Sequence, residues 1–97
     1  MIKIMAKVNV YVVSAYRIDD YENVYEETLV YKFKSNALQK LQDIKNQDFM
    51  PIVEDEGFEI HCDNPTHFEA GYEGDYSRGC VCVKIVETNI EDAEVCK

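Results

Sequence analysis

The sequence predicts an α+β domain: an antiparallel sheet of about five strands in the order β-β-α-β-β-β, with one main helix packed on one face. Three observations carry that prediction. Apolar residues alternate with period two in several separate runs, a single central stretch repeats at helical spacing, and turn-forming residues divide the runs. At 97 residues the chain reads as one domain, 1–97, with a polar tail over 88–97 that is expected to fray.

The first strand is read from Ile2 to Val13. Ile2, Ile4, Ala6, Val8, Val10 and Val12 share one parity and are expected to face the core; Lys3, Lys7, Asn9 and Tyr11 take the other. A wide acidic tip, Asp19 to Asn23, leads to a second strand, about Tyr25 to Phe33, with Tyr25, Leu29, Tyr31 and Phe33 on its apolar face. Ser35 is placed to cap a helix over 36–46 whose stripe is Ala37, Leu38, Leu41 and Ile44. Pro51 breaks that helix and fits the first turn of a short second one, Pro51 to Asp55, stopped by Gly57. Three short strands follow. Phe58, Ile60 and Cys62 point inward in the first, Phe68 and Ala70 in the second, and Val81, Val83 and Ile85 in the third. An exposed edge of Tyr11, Val13 and Val30 would suit a dimer.

Composition narrows the function classes. Nineteen acids against ten Lys and Arg leave a net charge of −9, which argues against direct binding of nucleic acid or anionic membrane. An apolar share of 46% is too high for a disordered acidic tail. No run approaches a membrane span and nothing in Met1–Lys7 reads as a secretory signal, so a cytoplasmic protein is expected. In a reducing compartment Cys62, Cys80, Cys82 and Cys96 are thiols or ligands rather than disulfides.

Val10-Tyr11-Val12-Val13, Phe33-Lys34-Ser35 with Ala37, Gly57-Phe58, Phe68-Glu69-Ala70, Glu73-Gly74 and Tyr76-Ser77 together resemble a family of small acidic proteins. Members of that family are carried by phages and mobile elements of low-GC Gram-positive bacteria. The resemblance spans roughly residues 8–86 and implies an accessory protein rather than a reaction. By class analogy, small acidic phage proteins include inhibitors of host defence nucleases, the anti-CRISPR proteins among them. The chain departs from the family pattern at Pro51 and at Arg78-Gly79-Cys80-Val81-Cys82.

Two surfaces stand out. Between Asn46 and Ser77 lie Asp48, Glu54, Asp55, Glu56, Glu59, Asp63, Glu69, Glu73 and Asp75, with no Lys or Arg among them. Such a face keeps a small protein soluble, and it also suits mimicry of a phosphate backbone in a cationic groove. Glu54, Asp55, Glu56 and Glu59, with the loop residues Tyr72, Glu73, Asp75 and Tyr76, are the expected partner contacts. The partner so implied is a host protein with a basic nucleic-acid groove, a CRISPR effector nuclease above all.

The second surface is chemical. Parity sends Cys80 and Cys82 away from Val81 and Val83, and sends His61 and His67 the same way. Two thiolates and two imidazoles on adjacent strands suit tetrahedral zinc, with Cys62 as the substitute ligand if parity slips by one. The spacing matches no standard zinc pattern, and ordinary thiols with surface histidines are the alternative. Catalysis is not expected: the Gly71, Gly74 and Gly79 loop has no Lys to hold phosphate, and no oxyanion feature accompanies the cysteines. The chain is therefore expected to act by binding, as an inhibitor of a nucleic-acid-targeting defence enzyme or as a zinc-stabilised adaptor.

Overall fold

The computed structural model of the chain describes residues 7–91. Five antiparallel strands form one sheet: β1 (Lys7–Asp19), β2 (Glu22–Tyr31), β3 (Glu59–Asn64), β4 (His67–Gly71) and β5 (Gly79–Glu91). Their spatial order is β2-β1-β5-β4-β3, so the long β1 and β5 pair at the centre. Between β2 and β3 a helical segment packs on one face: α1 (Lys34–Asp43), a π-helical turn over Ile44–Phe49, and α2 (Met50–Glu56). The β-β-α-β-β-β order is the one that the alternation and the single helical stripe predict.

The core lies between the helices and that face. Ala37, Leu41, Ile44, Phe49 and Val53 meet Val13, Ala15, Phe68, Ala70, Val81 and Val83. Tyr25, Leu29 and Tyr31 pack against this cluster from β2. Three alanines, Ala15, Ala37 and Ala70, are almost wholly buried; their small side chains allow the helix to approach the sheet closely. The expected parity of β1 is reversed. Val13 and Ala15 face the helix, while Val8, Val10 and Val12, on the other parity, face away from it. Val12 and Val13 are both apolar, so alternation alone has two solutions, and Ala15 under the helix selects one. The edge expected for a dimer fails for the same reason. Val13 is buried and Tyr11 packs on the core, leaving Val30 exposed.

The helical segment departs from its expected form in two ways. Ser35 does not cap it; the helix starts earlier, and the Phe33 carbonyl accepts from the Asn36 and Ala37 amides. Pro51 does not separate two helices either. A prolyl ring collides with the carbonyl four residues back, and the chain responds by widening into a π turn, in which the Met50 amide bonds the Lys45 carbonyl. Gly57 ends α2 in the left-handed conformation, at φ 71°.

At the sheet ends, the predicted wide tip between β1 and β2 is a tight turn instead. Asp20 and Tyr21 both take positive φ, 51° and 70°, the geometry of a type I′ hairpin. The polar stretch after Ile85 does not fray where expected, because β5 pairs with β1 as far as Glu91; residues 92–97, including Cys96, lie outside the described residues, as do Ile2, Ile4 and Ala6. β3 carries a bulge between Ile60 and Cys62. Cys62, opposite Glu69, therefore turns to the face away from the helix. Asp63, opposite Phe68, turns toward the helix and meets Lys45 at 2.6 Å. Ile60, expected inside, is 44% exposed.

Candidate metal centre and acidic end

The sheet face opposite the helix carries the thiols, as parity requires, but they are not exposed. Cys80 is 1% and Cys82 4% exposed. Two tyrosines account for this. Tyr16 lies against Cys82 and Cys80, and Tyr76 comes down onto Cys80 from the loop. A Cβ at Gly71 would meet Cys80 Cβ at 2.7 Å and Tyr76 Cδ1 at 3.0 Å, so glycine there is what lets the ring lie flat. The tyrosine cover is the feature that strand parity, applied residue by residue, misses.

Among the described residues one group has metal-ligand geometry: His67, Glu69 and Cys82, whose donor atoms all lie within 4.8 Å of one another. The ladder builds it. His67 and Glu69 are two apart on β4 and share a face, and Glu69 pairs directly with Cys82 on β5. His67 Nε2 is 3.1 Å from Glu69 Oε1 and 3.8 Å from Cys82 Sγ, and the thiol is 3.9 Å from the same carboxylate oxygen. This group can hold a metal ion. Two of the four expected ligands, His67 and Cys82, are in it. Cys80 is not, because it sits opposite Gly71, under Tyr76. His61 is not, because the bulge sends it toward the loop, where its Nδ1 bonds the Tyr76 hydroxyl at 2.6 Å. Glu69 takes the place they leave; a carboxylate between His67 and a cross-strand cysteine was the available signal. Cys62, the substitute ligand, shares the face but bonds the His67 carbonyl and Asn64 instead.

The surroundings of this face hold its thiols and phenols protonated. Burial first, and the Glu69 carboxylate next, push the Cys82 thiol up to about 11. Burial likewise raises Cys80. Burial, with Cys82 and Cys80 beside it, pushes the Tyr16 phenol up to about 12. Thiols held protonated in this way are poor nucleophiles, and an ion bound by the Cys82 sulfur would have to displace its proton.

The loop between β4 and β5 straddles the end of the sheet. Tyr72 goes to the helix side, edge-on to Phe58 at 4.9 Å between centroids, and its hydroxyl donates to Glu56 at 2.7 Å. That hydrogen bond raises the Tyr72 phenol. Tyr76 goes to the opposite side, onto His61. Both rings are half-buried and bonded within the chain, so they hold the loop. The loop in turn holds the β1–β2 turn, with Asp20 N donating to Arg78 O and Tyr21 N to Ser77 O, each at 2.8 Å.

One end of the sheet thereby collects acids from four segments. They are Asp19, Asp20 and Glu22 of the β1–β2 turn, Glu54, Asp55 and Glu56 of α2, Glu59 of β3, and Glu73 and Asp75 of the loop. The first three come from the hairpin tip, which lies far away in sequence. Asp63 and Glu69 belong elsewhere, at the Lys45 ion pair and the candidate metal group. On the helix side, the π turn opens a cleft of about 270 Å³ lined by Arg17, Tyr25, Asp48, Phe49 and Ile52. Among the described residues no helix is long and apolar enough to cross a membrane. No family model, curated protein or solved structure matches the chain.

Proposed function

We propose that this protein is a phage-encoded inhibitor that binds a bacterial nucleic-acid-targeting defence enzyme, of the anti-CRISPR kind, in the host cytoplasm. It acts by occupancy rather than catalysis. Its acidic end enters a basic groove and keeps DNA or RNA from loading, with a CRISPR effector nuclease as the partner of choice.

The observation that carries this reading is where the acids sit. Glu54, Asp55 and Glu56 occupy the last turn of α2, which has no basic residue. The helix dipole disfavours negative charge there by roughly 0.3–1 kcal/mol per residue. Nearby acids from three other segments add repulsion. A sequence that accepts this local cost at one end, where Arg17 and Arg78 offset only part of the charge, while Lys32, Lys34 and Lys84 lie toward the other, has the signature of a charged contact surface. The test is capture of partners from a bacterial lysate on the immobilised protein, followed by elution with single-stranded DNA. A nucleic-acid enzyme released by DNA and by salt is expected; a partner that neither displaces would overturn the reading.

A second reading, a zinc-stabilised adaptor for another host protein, is favoured by the His67, Glu69 and Cys82 group. Nitrogen, oxygen and sulfur donors together suit zinc, whereas calcium and magnesium take oxygen alone. Elemental analysis of protein purified without a metal-binding tag tests it. Near-stoichiometric zinc, retained in Cys96→Ser and lost in Cys82→Ser, is expected, and less than about a tenth of an equivalent would exclude it.

A further inference from the structure

One arginine lies on the helix side of the sheet. Val13, Ala15 and Arg17 share a parity on β1, and the first two pack under the helical segment. Arg17 stands next in that row, opposite Tyr25 on β2, and the pairing of the two strands shifts just beyond it, between Arg17 and Ile18. Beside it runs the π turn, which widens the helix through Asp48 and Phe49. The space so opened is the cleft of about 270 Å³ lined by Arg17, Tyr25, Asp48, Phe49 and Ile52. Shifted strand registers and π turns are both over-represented at functional sites.

The charged groups of this cleft are not used up by the fold. Arg17 Nε is buried and has no hydrogen-bond partner. The one ion pair of Arg17 among the described residues, with Asp19, spans 4.0 Å, which is beyond hydrogen-bond reach. An arginine that served only to hold the fold would have such donors bonded. Asp48 is exposed on the π turn and makes no ion pair among the described residues. Two opposite charges therefore line one cleft without neutralising each other. The rest of the lining is apolar in character. Tyr25 and Phe49 meet edge-on at 6.3 Å between centroids, and Ile52 joins them. The Tyr25 hydroxyl is already committed to Glu27, at 2.6 Å.

That lining selects a ligand class. A guanidinium takes a carboxylate or a phosphate in a planar fork. A ligand carrying negative charge alone would face Asp48 and a molecule of net charge −9. A zwitterion carries no net charge, and offers an anion to Arg17 and a cation to Asp48. The aromatic wall then takes an apolar body, and a cleft of this size suits something smaller than a drug-sized ligand. We propose that the cleft binds a free α-amino acid with an apolar side chain. Its carboxylate sits on Arg17, its ammonium group on Asp48, and its side chain against Tyr25, Phe49 and Ile52. The site uses none of the acidic contact residues and none of His67, Glu69 and Cys82, so it stands apart from both readings above.

The experiment is titration of the isotope-labelled protein with phenylalanine and with leucine, read by NMR at the Arg17 Nε–H and at the Phe49 and Ile52 amides, with calorimetry for affinity. Saturable shifts at all three positions are expected, with a Kd of about a millimolar or tighter. Hydrocinnamate lacks the ammonium group and phenethylamine lacks the carboxylate; each should bind about ten-fold more weakly than phenylalanine. Asp48→Asn alters an exposed side chain, so it should fold as the parent does while losing about ten-fold in affinity for phenylalanine. Arg17→Lys keeps the charge but not the fork, and should lose as much. No saturable shift with either amino acid up to about 20 mM would overturn the site. So would hydrocinnamate or phenethylamine binding as tightly as phenylalanine, or an Asp48→Asn variant that keeps the parent's affinity.

Discussion

Single side chains on the thiol face behave as they do because tyrosines cover them. Tyr16, lying against the thiols, and Tyr25, bonded to Glu27 at 2.6 Å, are both pushed up to about 12, chiefly by burial. The sign of the consequence is fixed. A phenol ionising near 10 when unfolded and near 12 when folded stabilises the fold fully below pH 10, and that stability is lost as pH climbs toward 12. Denaturant melts should therefore give a midpoint that begins to fall near pH 9, where the Cys82 thiol would ionise when unfolded, and falls more steeply above about pH 10 as the phenols join it. Tyr25→Phe should flatten part of that fall, and an unchanged alkaline limb in Tyr16→Phe and Tyr25→Phe together would contradict the assignment. Gly71 is the other decisive single residue. Its Cβ would stand 2.7 Å from Cys80 Cβ and 2.9 Å from the Gly79 carbonyl, so the backbone itself must shift. Gly71→Ala should destabilise by about 1–3 kcal/mol, read from the urea midpoint. A change within the noise would mean that the loop is not seated on β5 as described.

At the scale of elements, α2 is where stability and contact surface oppose each other. Glu54 and Asp55 are exposed in its last turn, and Glu56 accepts from Tyr72. Glu54→Gln with Asp55→Asn should raise stability by about 0.5–1.5 kcal/mol in low salt, since it removes charge from the negative end of the helix dipole. The same pair should weaken partner capture. Destabilisation by the pair would show that these carboxylates support the fold and would remove the main support for the inhibitor reading. The β-bulge in β3 is the second element with consequences. By inserting His61 between the Ile60–Ala70 and Cys62–Glu69 pairs, it separates His61 from the metal group and gives it to Tyr76.

Over the whole molecule, charge separation outweighs the net value of −9. Acids from four segments crowd one end, and repulsion between them works against the folded state. Raising sodium chloride from about 50 to 500 mM should raise the melting temperature by screening that repulsion, since the Debye length falls well below the spacing between segments. A melting temperature independent of salt would mean that the acids are too far apart to interact. The same screening should weaken partner capture, so salt should move stability and binding in opposite directions.

Local chemistry alone determined a good deal: alternation around Val81 and Val83, the helical stripe of Ala37, Leu41 and Ile44, and Gly57 as a helix stop are all properties of a few neighbouring residues, and each holds in the fold. So does the sending of His67 and Cys82 to one face, which needs only strict period two. What failed was whatever depended on a second segment. The face that β1 turns to the helix was undecidable from Val12 and Val13, and it is set by the fit of Ala15 under Ala37 and Leu41. Cys80 and Cys82 leave the core by parity and are buried all the same, because the rings that cover them come from β1 and from a loop. The ligand role of His61 was lost to one inserted residue, which reverses the facing of everything beyond it in β3. The acidic end, finally, was half legible as a run from Asn46 to Ser77; the other half arrives from Asp19 to Glu22, and only two backbone hydrogen bonds, Asp20 to Arg78 and Tyr21 to Ser77, bring it there.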